Sequence, residues 1–246
     1  MKPVPKATEL LAKPSPDFAD KLSATQALLT RAADQWQPLK QASSLGAEDV
    51  VITHLINGLQ LDIPVFVLET GALHHETLAL LERLQAHSRA AVQVYHPQPE
   101  SVIAFVKHPG QSAIYDSMAH RKACCGIRKL EPLGRALQGQ KAWVTGLRRE
   151  QSQARADVSA QEADVTNGVP IVKFNPLVEW TWGDVWHYIA SNQVDYNPLH
   201  DHFYPSIGCA PCTRAISLGE DFRAGRWWWE DEAAKECGLH VKTSNR

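Results

Sequence analysis

No stretch of this chain is long and apolar enough to cross a membrane, and in the opening MKPVPKATELLAKPSPDFAD prolines and charges break up every short apolar run. Neither a membrane anchor nor a signal peptide is expected, and the expected location is cytoplasmic. An excess of charge of either sign is also missing. Lys and Arg number 25 against 27 Asp and Glu, a net charge of −2, which argues against a general nucleic-acid binder and restricts any anion site to a local one. There is no internal repeat and no low-complexity linker. The lysine and glycine pattern of a Walker loop, the S-G-G-x-D loop of enzymes that split ATP into AMP and pyrophosphate, and the H-E-x-x-H of zinc proteases are all absent.

Cysteine is scarce, yet all five stand in settings suited to sulfur chemistry. Cys124 and Cys125 are adjacent in KACCGIRK, Cys209 and Cys212 form a C-x-x-C in GCAPCTR, and Cys237 stands alone in ECGLH. In a reducing compartment such clusters serve metal binding or catalysis more often than disulfides. Two pairs make the four-thiolate set used by zinc or by an iron–sulfur cluster. Neighbouring side chains diverge, which suits two irons of one cluster better than one tetrahedral zinc; four buried reduced thiols are the plainer alternative. Cys237 lies in a polar tail with Lys235 and His240 near it in sequence, which favour the nucleophilic thiolate. No sixth cysteine is left to resolve it, so an external thiol must complete any covalent cycle.

A chain of 246 residues, 44% hydrophobic and 21% charged, suits one α/β domain. Residues 1–38 read as a peripheral helical arm, 39–218 as the α/β body, and 219–246 as a tail. A short strand is expected over Leu39 to Leu45, with a tight turn at Gly46. The segment after it has strand-like composition, but Val51, Leu55 and Leu59 fall at helical spacing and Glu48 and Asp49 suit a helix start, so a helix is expected. IPVFVLET at 63–70 is a strand covered on both faces, HHETLALLERLQAHS a helix, and AVQVYHP, KAWVTGLR (141–148) and the run from Val169 are further strands. Such alternation means a parallel sheet, whose ligand sits beyond the strands' carboxyl ends, where SSLGAED, LETG and GLRREQS meet.

Ser43, Ser44 and the amides of their loop are set to bind phosphate oxygens, unless the loop is an ordinary strand-to-helix turn. Three basic clusters, Arg128 with Lys129, Arg148 with Arg149 and Arg155, and Arg223 with Arg226, point to a pocket for a small polyanion. A solvated helix face is the alternative for any one of them. His74, His75 and Glu76 open a helix, His200 and His202 are expected in a loop against the cysteine site, and Trp227, Trp228 and Trp229 anchor the tail to the body.

KACCGIRK, GCAPCTR, EDFRAGRWWWE and ECGLH, in that order, resemble the assimilatory adenylyl-sulfate (APS) reductases, close relatives of the 3′-phosphoadenylyl-sulfate (PAPS) reductases. The similarity runs from about Ser43 to His240 and takes in GLRREQSQAR and NPLVEWTWGDVWHYI. It implies an adenine-nucleotide α-hydrolase-like fold with a mobile C-terminal tail. It further implies one [4Fe-4S] cluster on Cys124, Cys125, Cys209 and Cys212, and a nucleophile at Cys237. Lys129, Arg223 and Arg226 then contact sulfate and phosphate, Ser43 and Ser44 form the phosphate-facing loop, and Leu68, Thr70 and Gly71 the adenosine side. Arg148, Arg155 and His240 join the substrate-binding set. Leu45, where another serine is usual, and Glu69, in place of the aspartate of D-T-G, depart from the pattern.

The chemistry implied is attack of the Cys237 thiolate on the sulfur of adenylyl sulfate, loss of AMP, and release of sulfite by a thioredoxin or glutaredoxin-like dithiol. Three alternatives remain: PAPS as substrate, against which the cluster cysteines count; an iron–sulfur, ATP-dependent RNA-thiolation enzyme, against which the missing S-G-G-x-D loop counts; and a non-catalytic redox sensor. A homo-oligomer is compatible with the sequence, which does not fix the oligomeric state.

Overall fold

The computed structural model describes residues 5–217 and 219–230. The arm forms α1 (Ala7–Leu11) and α2 (Phe18–Gln35), and α2 buries Thr25, Leu28, Leu29 and Ala32, the three- and four-residue spacing of one helix face. Then follow β1 (Leu39–Ser43), α3 (Ala47–Gly58), β2 (Val65–Leu68), α4 (His75–His87) and β3 (Val92–Tyr95). A helical connection carries α5 (Pro99–Phe105), α6 (Met118–Cys125) and α7 (Glu131–Leu137), with one wide turn, Gly126–Leu130, between the last two. The chain continues through β4 (Ala142–Val144), β5 (Gln161–Thr166), β6 (Val169–Phe174) and α8 (Trp182–Asn192).

The strands form one sheet in the order β3-β2-β1-β4-β6-β5. All neighbours run parallel except β5 and β6, whose register pairs Thr166 with Val169 around Asn167 and Gly168. Both turn residues have positive φ, 53° and 77°, which Asn-Gly adopts readily in a two-residue hairpin. The expected parallel sheet therefore gains an antiparallel edge strand. The composition of β5, QEADVT, is too polar to announce it.

The strand-like composition of VVITHLI folds as helix because α3 is enclosed: Val50, Val51, Ile52, Leu55 and Ile56 are all buried, and Glu48 and Asp49 occupy its first turn. Thr181 caps α8 by accepting the Asp184 amide, and Asp184 accepts the Thr181 amide in return. Asp184 also accepts the amide and hydroxyl of Ser15, which ties the arm to the body. The main core joins Leu29 of the arm to Val51, Ile52, Val144, Phe174, Trp180 and Trp186. From β1 the chain winds to β2 and β3 on one side, then crosses to β4 on the other. The loops after β1 and β4 consequently diverge, and a crevice opens between them.

Candidate active site

A cavity of about 220 Å³ occupies that crevice. It is lined by Ser43 and Ser44 at the end of β1, Glu48 and Asp49 in the first turn of α3, Leu68 and Thr70 at the end of β2, and Gly146, Gln151 and Arg155 after β4; Lys129 from the α6–α7 turn and His200, Arg223 and Arg226 from segments after α8 also face it. Leu45 takes a left-handed φ of 61°, and its amide donates to Ser43 Oγ at 3.2 Å. Asp49 Oδ2 accepts both the amide and the hydroxyl of Ser44, at 2.6 and 2.7 Å. Burial, opposed by these bonds and helped by Glu48 beside it, pushes the Asp49 carboxyl up to about 6. Burial also holds His200 down to about 4, so its ring is neutral, with Nδ1 against the Tyr204 carbonyl at 2.7 Å.

Beside this cavity is a smaller one of about 30 Å³ lined by Cys124, Cys125, Cys209 and Cys212 together with Phe105, Ile114 and Trp227. Cys124 and Cys125 come from the end of α6, and Cys209 and Cys212 from the short turn at Ala210–Cys212, which the Ala210 amide pins to the Ala72 carbonyl at 2.7 Å. Thr70 Oγ1 and Cys209 Sγ lie 3.3 Å apart and share a hydrogen bond. Among the described residues no three His, Cys, Asp or Glu side chains converge as they would on a single metal ion. Burial and the neighbouring Cys209 raise the Cys212 thiol to about 11, against the pull of Lys129 and Arg226. Lys129, Cys209 and Trp227 line both cavities and so form the wall between them.

Residues 219–230 cross this wall as a strap. Trp227, 1% exposed, has the guanidinium groups of Arg121 and Arg226 over its ring at 4.5 and 4.7 Å. Arg121 in turn makes a two-pronged ion pair with Glu230, at 2.8 and 2.7 Å. The strap is held to the body by the Arg214 amide on the Gly225 carbonyl, and Gly208 is the residue that leaves room for Arg226, whose guanidinium a Cβ there would strike.

Residues 38–215 match the phosphoadenosine phosphosulfate reductase domain. The chain belongs to this reductase family. An adenosine 5′-phosphosulfate reductase of Allochromatium vinosum is 51% identical over 213 residues, covering 87% of this chain and 82% of the relative. A Burkholderia cepacia protein of the same name is 48% identical over 229 residues, 93% and 91% of the two chains. Among solved structures, a phosphoadenylyl-sulfate reductase of Candida auris in a phosphate complex superposes with a TM-score of 0.66 at 27% identity, over 83% of this chain and 98% of that one. A Candida glabrata FMN adenylyltransferase, with a TM-score of 0.59 at 12% identity over 89% and 77%, shares the fold alone.

Membership in the reductase family gives the placement of each expected residue its meaning. Ser43, Ser44, Leu68, Thr70, Lys129, Arg155, Arg223 and Arg226 meet at the larger cavity, and the four paired cysteines at the smaller. Gly71 lies just outside, with φ 69°, its amide on Glu69 Oε1 at 2.7 Å. Arg148 lines neither of these cavities: 1% exposed, it is bound to Glu48 at 2.9 Å, to Glu150 at 2.8 Å and to the Trp180 carbonyl. Cys237 and His240 fall outside the described residues. His200 lines the larger cavity, packed against Trp182 and Trp186, and is not among the residues that line the four-thiol pocket. The sequence reading had no ligand-site role for Asp49, Gln151 or Arg121. Asp49 reads in the sequence only as a helix start, and Gln151 and Arg121 find their partners Glu48 and Glu230 across 103 and 109 residues, which no local pattern shows.

Proposed function

We propose that this oxidoreductase reduces adenylyl sulfate to sulfite and AMP, by way of a sulfonated Cys237, with a thioredoxin or glutaredoxin-like dithiol as reductant. The observation that carries the reading is the shared wall: Lys129 and Cys209 border both the nucleotide-sized crevice and the four-thiol pocket, with Arg223 and Arg226 beside them. The adenosine lies by Leu68, Thr70 and Gly71, the phosphate by Ser43 and its loop, and the sulfate among Lys129, Arg223 and Arg226. Arg155 supports the phosphate side, while Arg148 acts at one remove by fixing Glu48.

The Cys237 thiolate attacks the sulfate sulfur, forming a sulfur–sulfur bond as the anhydride sulfur–oxygen bond breaks, and AMP leaves with that electron pair. Cationic Lys129, Arg223 and Arg226 stabilise the charge that develops on the leaving phosphate. A thiolate of the external dithiol then attacks Cys237 Sγ, sulfite departs with the electron pair, and the second thiol resolves the mixed disulfide. The dithiol supplies both electrons.

Cys124, Cys125, Cys209 and Cys212 line one small pocket with Phe105, Ile114 and Trp227, bordered by Arg128 and Lys129, and four thiols are the donor set that an iron–sulfur group takes. Cys124, Cys125, Cys209 and Cys212 would hold one [4Fe-4S] cluster. When bound, it would cross-link α6 to the Cys209–Cys212 turn beside the sulfate site, where Lys129 supplies the positive charge. Adenylyl sulfate is favoured over its 3′-phosphorylated form by the four cysteines and by the 48–51% identity to relatives named for adenosine 5′-phosphosulfate. No described helix is long and apolar enough to cross a membrane, in keeping with a cytoplasmic location. We take 39–218 as the nucleotide and cluster body, with 1–38 as its arm and 219–246 as the tail that bears the nucleophile.

Incubating the protein with adenylyl sulfate is expected to add one sulfonate to Cys237, detected by peptide mass, and reduced thioredoxin is expected to release it as sulfite. Sulfite release by a Cys237→Ser variant would overturn the mechanism. Relative rates on the two nucleotides decide between the substrates.

A further inference from the structure

Ser44 stands exposed at the mouth of the crevice, in the loop assigned to the substrate's phosphate, yet both its donors are already engaged. Its amide and its hydroxyl point to the same oxygen of Asp49, which is itself buried, and Asp49 Oδ1 is turned to Gly146 after β4. Gly146 has no room for a Cβ, which would strike that oxygen. One carboxylate thus bridges the two loops that diverge from β1 and β4. A hydroxyl has a single proton to donate, so while Asp49 is ionised the Ser44 proton serves the carboxylate and not a phosphate oxygen. Ser43 differs: its oxygen accepts the Leu45 amide, which leaves its own proton available to the crevice.

We propose that Asp49 is a positioning residue for the anionic group of the nucleotide: ionised, it withholds the Ser44 hydroxyl and adds a negative charge under the site; protonated, it releases Ser44 to the anion, so nucleotide binding and proton uptake are coupled. This rests on the reading of the crevice as the adenylyl sulfate site. The carboxyl lies where such coupling operates near neutrality, because burial pushes it up to about 6 and a bound anion raises it further. The charged neighbours are accounted for. Glu48 beside it is paired with Arg148. Across the crevice stand the basic side chains Lys129, Arg155, Arg223 and Arg226, and His200, at about 4, is neutral. Asp184 of α8, the helix packed on α3, is turned to Ser15, His54 of α3 to Tyr188, and Lys40 of β1 to Tyr95.

The test is equilibrium binding of adenylyl sulfate to the full chain carrying Cys237→Ser, which prevents consumption of the ligand, from about pH 5.5 to 8. The phosphosulfate itself does not titrate in that range. In this parent the Kd is expected to rise about tenfold across the range. Asp49→Asn, uncharged like the protonated carboxyl and a weaker acceptor than the carboxylate, is expected to hold Kd constant within about twofold and to bind more tightly than the parent at pH 8. A purely structural role for Asp49 predicts the opposite, weaker binding at every pH. Should Asp49→Asn fail to fold, Ser44→Ala removes the gated donor and is expected to shrink the slope. A parent that binds with a flat profile, or an Asp49→Asn profile as steep as the parent's, overturns the coupling alone. No binding by the parent at any pH overturns the crevice assignment and the coupling with it.

Discussion

His200 shows what burial does to one side chain. Buried against Trp182 and Trp186, with the Tyr204 carbonyl on Nδ1, its ring is held neutral, at about 4 against an ordinary 6.5. Because the folded value lies below the unfolded one, the neutral ring contributes stability above about pH 6.5, and that contribution is lost as pH falls through about 4. The shift corresponds to at most about 3 kcal/mol. Urea midpoints of the native chain are expected to fall over this window, and those of His200→Gln to fall less; equal slopes would assign the acid sensitivity to other groups. At this scale the residue types were legible but their partners were not. KACCGIRK and GCAPCTR pointed to one thiol pocket, and GLRREQSQAR to a cation near the nucleotide. Spacing cannot tell a guanidinium facing a ligand from one buried against a carboxylate 100 residues away, which is why Arg148 reads as a contact and sits in the core.

Among elements, the strap depends on a join that no local pattern reveals. Arg121, one turn before the cysteine pair, holds Glu230 while its guanidinium covers Trp227, whose other cation is Arg226 of the crevice. Both ends of the ion pair are nearly inaccessible, at 1% and 7% exposure, so removing one leaves a buried charge uncompensated. Arg121→Ala is expected to cost about 3–5 kcal/mol. Removing Glu230 as well is expected to recover part of that, a coupling that denaturation of the single and double variants measures. Periodicity found α3 and α4 and the strands of the parallel sheet, because a helix stripe or a doubly covered strand is written in neighbouring residues. It missed β5, whose exposed and half-buried alternation of polar residues carries little hydrophobic signal, although Asn167-Gly168 marks the hairpin.

Over the whole molecule, the arm is part of the packed body: Leu28, Leu29 and Ala32 enter the main core, and Ser15 sits on Asp184. Gly183 of α8 lies against the arm so closely that a Cβ there would overlap the Lys13 carbonyl. Gly183→Ala is expected to cost about 1–3 kcal/mol by forcing the arm aside. For a chain of this size that lowers Tm by about 2–4 °C per kcal/mol, and an unchanged Tm would show that the arm yields freely. The crevice itself has a consequence for folding. Thr70 meets Cys209 across 139 residues, Arg148 meets Glu48 across 100, and Arg121 meets Glu230 across 109. Contacts so far apart in sequence lose loop entropy before they return any energy, and so does the pairing of β1 with β4, which joins Leu39 to Ala142, so the crevice and the centre of the sheet depend on the same long loop closures. A partly folded chain therefore carries no half-strength version of the crevice, and ligand binding during refolding is expected to appear together with the completed sheet.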